Sequence, residues 1–579
     1  MSRCNMNKRN IKFIYSYTKP YIGIWTLGIL FTIVSSFLQI RYAWLIRDLI
    51  DNALLPKNFD LLFKLCVTFF LLVVTCSIFS FIKELCFNYV SQKSIVNIRM
   101  DLFQHILKLP YDFFVKTEDG EIVNRLVNDV KNTQDTFSDH IVSLITSFIT
   151  SVLITTWLLV VNWKLAILFL VIVPIFCGVT KALWKKISKL SHKAAEDTGR
   201  LTGFFQEAIS SIEIIKIVGN PYFTKRLTKL CKSLSNSIIK LRMSMVFNNS
   251  LWESILTPYQ AVFYLIGGYW YIKYNEPSIG IMLVFVNLVG VLVPNVLTFI
   301  SAISQMASGV ASLDRIQKIF DHPIEQGGKK LLSFEKEICI EFKNVCFKYQ
   351  DTGFSIKDIN LTIHNNEFVT IVGHTGSGKS TLLKLLVRLY DVDSGEILIN
   401  GVNINEYDIS DLRSCFGFLQ QDMYLIKGSL RDNLLLANET ITDAQIDKAI
   451  QMTQLKEYIE SLPDKIDTII GERGITLSGG EKQRLSITRM LICGLNKIVI
   501  MDEPTSALDL STEQRILNDM KTIFEQRTTI VIDHRLATLN LASKIVVMKN
   551  GTIAEMGSYD ELLEQDGELC TLVNARIVS

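Results

Sequence analysis

The chain has 579 residues, 49% of them hydrophobic, with a mean hydropathy of +0.28. A wholly soluble protein of this size rarely averages so apolar, so part of the chain is expected in lipid, and the length leaves room for two or more cored domains. A formal net charge of only +3 argues against an extended nucleic-acid surface. The 11 cysteines lack paired metal-ligand spacing, and Cys66, Cys76 and Cys177 sit inside apolar runs, which fits free thiols rather than disulfides or zinc.

The segment Met1–Asn10 is basic, but the apolar run that begins near Tyr21 is too long for a cleavable signal peptide and lacks a small-residue cleavage site. Crossing a bilayer takes about 20 apolar helical residues. Six stretches qualify: Tyr21–Ile40, Leu61–Ile82, His140–Val161, Leu165–Trp184, Leu256–Tyr274 and Ile279–Ile303. Asn162-Trp163-Lys164 makes a tight hairpin between the third and fourth, and Asn275–Ser278 joins the fifth and sixth. The longer connections, Ser91–Asp139 and Lys185–Phe247, carry many Lys and Arg, as does the N-terminus with Arg3, Lys8, Arg9 and Lys12. Positive residues favour the cytoplasmic side, so both ends and both long connections are expected inside the cell. These connections are not loose. Ile95, Ile98, Leu102 and Ile106 recur at helical spacing, and Glu121, Arg125 and Asp129 stand four apart, where an ion-pair ladder supports a helix.

From about Glu337 the texture changes to alternating short apolar strands and helices: Ile338–Phe342, Phe368–Val372, Ile397–Ile399, Lys497–Met501, Thr528–Ile532 and Lys544–Met548 read as strands of a largely parallel sheet. Asn550-Gly551 predicts a hairpin near the end. The division is therefore 1–320 for the membrane domain, 321–336 for a linker with Pro323, Gly327 and Gly328, and 337–579 for the α/β domain.

Gly373-His374-Thr375-Gly376-Ser377-Gly378-Lys379-Ser380 is a complete phosphate-binding loop between the strand Phe368–Val372 and a helix. Its glycines let backbone N–H groups turn toward phosphate oxygens, and the helix N-terminus adds partial positive charge. Lys379 is expected to reach the β- and γ-phosphates and Ser380 to ligate Mg²⁺. The strand Ile498–Met501 ends in Asp502 and Glu503: Asp502 fits the Mg²⁺ shell, and Glu503, one residue further, fits a general base for water. Leu477-Ser478-Gly479-Gly480-Glu481 opens another helix whose N-terminus suits an anion, although one cassette supplies no second phosphate for it.

Together these motifs resemble an ATP-binding cassette (ABC) transporter of the exporter type over nearly the whole chain. The resemblance implies a multi-domain membrane protein: an all-α transmembrane domain of six helices with cytoplasmic helical extensions, fused to an α/β P-loop ATPase domain. It implies two such chains that close on two ATP molecules, Ser478, Gly479, Gly480 and Glu481 of one clamping ATP held by the phosphate loop, through Thr381, of the other. By the same resemblance Tyr349 stacks on adenine, Gln421 senses Mg²⁺ and the attacking water, Asp509 communicates across the dimer, and His534 contacts the γ-phosphate. Gly471-Glu472-Arg473-Gly474 is similar to the exporter segment that touches the membrane domain. Leu109–Phe114 with Gly120, Glu121 and Arg125 resembles the first coupling segment, and Ala311–Ile316 the end of the sixth span. Asp533 departs from the pattern, which more often has a small or hydroxyl residue there; a carboxylate at that point either slows hydrolysis or points away. The chain leaves no room before the first span for an N-terminal protease domain like that of some peptide exporters.

The expected activity is ATP-driven export by alternating access, with a homodimer favoured over a heterodimer, the cassette in the cytoplasm, and a bacterial plasma membrane as the setting. The substrate is expected to be apolar or amphipathic, because Ser278–Leu313 carries no charge and Arg41, Lys64 and Glu253 fall nearer the interfaces. Asn287, Asn295, Ser301, Ser304 and Gln305 supply the polarity there, and Tyr259, Tyr264, Tyr269 and Trp270 offer aromatic surface. A lipid flippase and an ATP-gated channel or sensor are the alternatives; intact Glu503 disfavours the second, since a pure gate needs no fast hydrolysis.

Overall fold

The computed structural model describes residues 8–170, 172–218, 221–332, 337–349, 353–421, 423–436, 441–471, 477–492, 498–506 and 508–577. They form two compact units, one of residues 1–107 and 119–322, the other of residues 108–118 and 323–579.

The first unit is helical. Its long helices are Lys8–Thr18, Ile22–Asp48, Phe59–Ile106, Val142–Val161, Ile172–Ser210, Pro221–Tyr274 and Ile279–Asp321. Among the described residues four helices are long and apolar enough to cross a membrane, within Lys8–Leu54, Phe59–Ile106, Val142–Val161 and Ile279–Ile303. The expected fourth and fifth spans include side chains outside those described. The helices there are Trp163–Leu170, Ile172–Ser210 and the 54-residue Pro221–Tyr274. Asn162 makes the predicted hairpin: its backbone leaves the helical region, and its side chain accepts from Leu165 N at 3.2 Å. At the other tight turn Ser278 caps the last helix, accepting from Ile281 N at 3.3 Å. Asp51 accepts there from Gly280 N at 3.0 Å. A Cβ on Gly280 would lie 2.7 Å from Arg47 Cα, so the close approach demands glycine.

The core of this unit gathers Ile154, Leu158, Phe263, Phe285 and Leu288, all under 2% exposed. The recurring Ile95, Ile98, Leu102 and Ile106 are buried as the helical spacing required. The Glu121–Arg125–Asp129 ladder is present and gains a partner from far along the chain: Arg315 donates to both oxygens of buried Asp129, and Arg125 donates to it at 2.8 Å. Burial pushes the Asp129 carboxyl up, but bonds from Arg315, Arg125 and Ser312 outweigh it and hold the group below its ordinary value.

The second unit is α/β. A six-stranded sheet has the order β12-β11-β3-β10-β9-β6, built from β3 (Phe368–Gly373), β6 (Phe416–Leu419), β9 (Ile498–Asp502), β10 (Thr528–Ile532), β11 (Lys544–Lys549) and β12 (Thr552–Gly557). The pairs β3–β10, β9–β10, β6–β9 and β3–β11 are parallel. Asn550 and Gly551, at φ 50° and 84°, turn β11 back into antiparallel β12. A second sheet, of order β2-β1-β4-β5, holds antiparallel β1 (Ile340–Lys348), β2 (Ser355–Ile363), β4 (Ser394–Ile399) and β5 (Val402–Asn403). A short pair, β7 (Gly428–Ser429) and β8 (Ile469–Ile470), completes the strands described. Residues 108–118 belong to this unit, although the reading of 1–320 as one domain assigns them to the other. Tyr111 packs edge-on against Tyr390 at 5.5 Å, and Lys384 lies 5.9 Å from the Tyr111 ring.

Candidate functional site

β3, β10 and β9 lie side by side, so their C-terminal ends deliver the phosphate loop, His534 and Asp502-Glu503 to one edge of the sheet. Gly373, Gly376 and Gly378 have φ of 149°, 80° and 106°. A Cβ on Gly373 would stand 2.3 Å from Met548 O. The helix Lys379–Leu386 starts directly at Gly378. Lys379 Nζ donates to the carbonyls of Gly373 at 2.8 Å and His374 at 3.0 Å, drawn over the loop. Burial lowers its pKa, and the carboxylates of Asp502 and Glu503 oppose that. Ser377 Oγ is buried with no hydrogen-bond partner, an orphaned donor at the floor of the cradle that a phosphate oxygen would satisfy. Thr375 is exposed, while Thr381 behind it is buried.

Asp502 is buried at the end of β9, and the Ser380 hydroxyl hydrogen-bonds its carboxylate. Burial raises the Asp502 pKa, nearby Glu503 adds to that, and Ser380 and Lys379 oppose it. Glu503 leaves the strand at φ 49°, its N–H donating to Ile532 O at 2.9 Å; Gln421 Nε2 donates to its carboxylate at 3.3 Å. A buried carboxylate, a hydroxyl and an amide oxygen suit Mg²⁺ only alongside phosphate oxygens. Among the described residues no three His, Cys, Asp or Glu side chains gather to hold a metal unaided.

Residues 25–296 match the family described as ABC transporter transmembrane region, and residues 356–506 match the family described as ABC transporter. An uncharacterised ABC transporter ATP-binding protein of Bacillus subtilis is 31% identical, covering 96% of this chain and 97% of the relative. The chain belongs to the ABC transporter family. An ATP-dependent lipid A-core flippase of Desulfotalea psychrophila is also 31% identical, over 98% of this chain and 99% of its own. A bacterial Atm1-family ABC exporter solved with ATP bound shares the fold, with a TM-score of 0.79, 24% identity, and coverage of 95% of this chain and 97% of its own. The protein is thus an integral membrane ABC transporter that binds ATP and couples its hydrolysis to export.

Other predicted site residues of this ABC transporter stand apart from the loop. Ser478 and Gly479 are exposed, Gly480 is half-buried, and Ser478 and Glu481 form a capping box: Ser478 N donates to the Glu481 carboxylate at 2.7 Å and Glu481 N to Ser478 Oγ at 3.3 Å. Among the described residues no hydrogen bond links Ser478–Glu481 to the phosphate loop. Asp509 caps the helix Leu510–Phe524, accepting from Thr512 N and Ser511 Oγ; those bonds hold its carboxyl well below the usual range. Tyr349 has its hydroxyl 3.3 Å from Thr381 Oγ1, and its ring lies 5.4 Å from Tyr390. The buried Asp533 carboxylate accepts from His534 N, Arg535 N and Thr538 Oγ1 at 2.7, 3.2 and 2.7 Å. Glu472-Arg473-Gly474 lies outside the described residues.

Three residues were missed by the motifs. Gln483, fully buried in the helix Gly479–Ile492, donates to Glu503 O at 3.1 Å and so ties that helix to the proposed base. Glu513, also fully buried, accepts from Thr505 Oγ1 at 2.9 Å and pairs with Arg535, joining the segment after Glu503 to the one after His534. Tyr390 joins Tyr349 and Tyr111 in one aromatic cluster; burial first, then its tyrosine neighbours, push its pKa up to about 12. Only the helical placement of Gln483, on the helix opened by Ser478–Glu481, was legible beforehand.

In the helical unit, Tyr259 and Trp270 pack against the core, while Tyr264 and Tyr269 stay exposed. Asn295 is turned to Val291 O at 2.8 Å and Ser301 to Thr298 O at 3.3 Å, leaving Asn287 as an exposed amide.

Proposed function

We propose that this ABC transporter works as a homodimer in a bacterial inner membrane, exporting an apolar or amphipathic compound such as a hydrophobic peptide, a drug-like molecule or a lipid. The observation that supports the dimer is the self-capped Ser478–Glu481 terminus, exposed at Ser478 and Gly479, which has anion-binding chemistry and, among the described residues, no hydrogen bond to the phosphate loop. The phosphate loop of a second copy would complete it. Ser380, Asp502 and Gln421 would hold Mg²⁺, which polarises the phosphates when bound. Lys379 neutralises phosphate charge. Glu503 takes the proton of the attacking water, oriented by Gln421 and by the backbone bonds to Ile532 and Gln483. His534 meets the γ-phosphate, and Tyr349 stacks on adenine.

The charge-free stretch 278–313 supports the substrate class, since a strongly charged solute needs opposite charges that are costly in the membrane. Lipid flipping is a second reading of the same site, favoured by the relatives named as lipid A-core flippases. The test is ATPase stimulation and transport by matched hydrophobic and multiply charged solutes in reconstituted vesicles, with fluorescent lipid reorientation measured alongside. Selective transport of a multiply charged solute would overturn the substrate class. Lipid reorientation without solute release would select the flippase.

A further inference from the structure

Between the helix Lys8–Thr18, the first turn of Ile22–Asp48 and the stretch Phe87–Ser94 lies a cavity of about 290 Å³. Its walls include Ile11, Ile14, Trp25, Phe87 and Val90, and its lining polar side-chain groups are the Tyr15 phenol, the Trp25 indole N–H and three hydroxyls. Two of these are satisfied: Thr18 Oγ1 donates to Ile14 O at 3.1 Å and Ser94 Oγ to Tyr17 O at 3.2 Å. The third, Ser91, is 6% exposed, and its Oγ has no hydrogen-bond partner. A buried orphan hydroxyl is unfavourable unless something else fills its valence. Lys12 follows Ile11, Lys19 follows Thr18, and Lys93 lies two residues beyond Ser91; all three are exposed. Phe87 lies five residues past Ile82, roughly 8 Å along the helix, so the cavity sits near the cytoplasmic edge of the expected second span.

We propose that this cavity holds one acyl chain of an anionic phospholipid from the cytoplasmic leaflet as a resident lipid, distinct from the exported compound. The apolar walls select hydrocarbon. The volume is at the lower edge of the range for small-molecule sites, about 300–1,000 Å³, so it takes part of one chain and leaves the headgroup outside. Ser91 donates to the ester carbonyl at the head of that chain, and Lys12, Lys19 and Lys93 meet the phosphate. Basic residues beside a span attract anionic lipid in this way.

The test uses the full chain in lipid nanodiscs of phosphatidylcholine doped with a phosphatidylglycerol that carries a diazirine near the end of one acyl chain. After illumination, mass spectrometry maps the label. The expected result is labelling of peptides covering 11–25 and 87–94. Lys12→Gln with Lys19→Gln lowers it roughly fivefold per lysine removed. Ser91→Leu, which fills the cavity, abolishes it while basal ATPase persists. Should Ser91→Leu not fold, the lysine pair, on exposed surface, still decides the matter. Equal labelling by a diazirine phosphatidylcholine, or undiminished labelling in the lysine variant, would mean bulk lipid only and would overturn the proposal.

Discussion

The phosphate loop and the Ser478–Glu481 terminus are both glycine-rich helix starts with anion-binding chemistry, yet they are built differently. Around the loop, residues distant in sequence converge: Lys379 beside Asp502 and Glu503, Ser380 on Asp502, Gln421 on Glu503. Around Ser478 the motif caps itself, Ser478 and Glu481 exchanging hydrogen bonds, and among the described residues no hydrogen bond joins it to the phosphate loop. On the proposed reading, the loop is the half of a shared ATP site assembled within one chain, and the serine terminus is the half that meets a second chain's loop. Gln483 connects the two, because it rides on the serine's helix and holds the backbone of Glu503. On the proposed reading, a partner's phosphates at Ser478 would be linked through Gln483 to Glu503 of the same chain.

The largest effect expected from breaking the assembled half is at its base. Glu503→Gln should retain ATP binding and lower hydrolysis about 10²–10⁴-fold, trapping closed dimers. ATP turnover and cross-linking between cassettes measure this, and near-normal turnover removes Glu503 from the chemistry.

Glu513→Gln sharpens the comparison, because Glu513 touches no reacting atom and works by positioning. With its bonds to Thr505 and Arg535 weakened, the segments carrying Glu503 and His534 lose their common brace. Turnover should fall about tenfold with little change in ATP affinity, a split that mere unfolding would not give.

In the helical unit Asp129→Asn takes from Arg315 the carboxylate it holds through two nitrogens and leaves Arg125 with Glu121. The cost should be about 2–3 kcal/mol, at the low end for a buried pair because the Arg315 side chain is 38% exposed. The folded pKa of Asp129 lies below its reference of 3.8, so its stabilisation is complete above that value and is lost as pH falls through the lower folded value. Thermal unfolding of solubilised wild type and variant at neutral and acidic pH checks this: the gap between them should narrow on acidification.

The smallest effect is expected at Asp533. Its carboxylate serves its own turn, so Asp533→Ser should cost about 1 kcal/mol of stability and change turnover less than about twofold. A large rise in turnover would mean that the carboxylate opposes hydrolysis.

What was legible in the sequence follows the range of each interaction. The phosphate loop is encoded in eight consecutive residues, where strand, turn and helix signals adjoin, and the alternation of strands and helices gave the α/β class. The membrane helices were legible because their apolar runs have no alternative solvent. Arg315 and Asp129 are 186 residues apart, and nothing local to either names the other. Of the second sheet, the runs Ile338–Phe342 and Ile397–Ile399 marked parts of β1 and β4 but were read into the largely parallel sheet, whereas the structure pairs them antiparallel with each other; β2 and β5 escaped, because nothing local to a short run names its partner. The grouping of residues 108–118 with the α/β unit rests on Tyr111 meeting Tyr390, a contact between aromatics far apart in sequence.

Complementation tests most directly whether ATP sites are shared between two copies of the chain. Lys379→Ala disables the assembled half and Ser478→Arg the waiting half, so each variant alone should be inactive. In a mixed dimer the intact loop of the Ser478→Arg chain faces the intact serine terminus of the Lys379→Ala chain. Shared sites predict recovered ATPase and ATP-dependent closure on mixing and co-reconstituting the two. No recovery, with mixed dimers demonstrated by native mass measurement, would contradict site sharing.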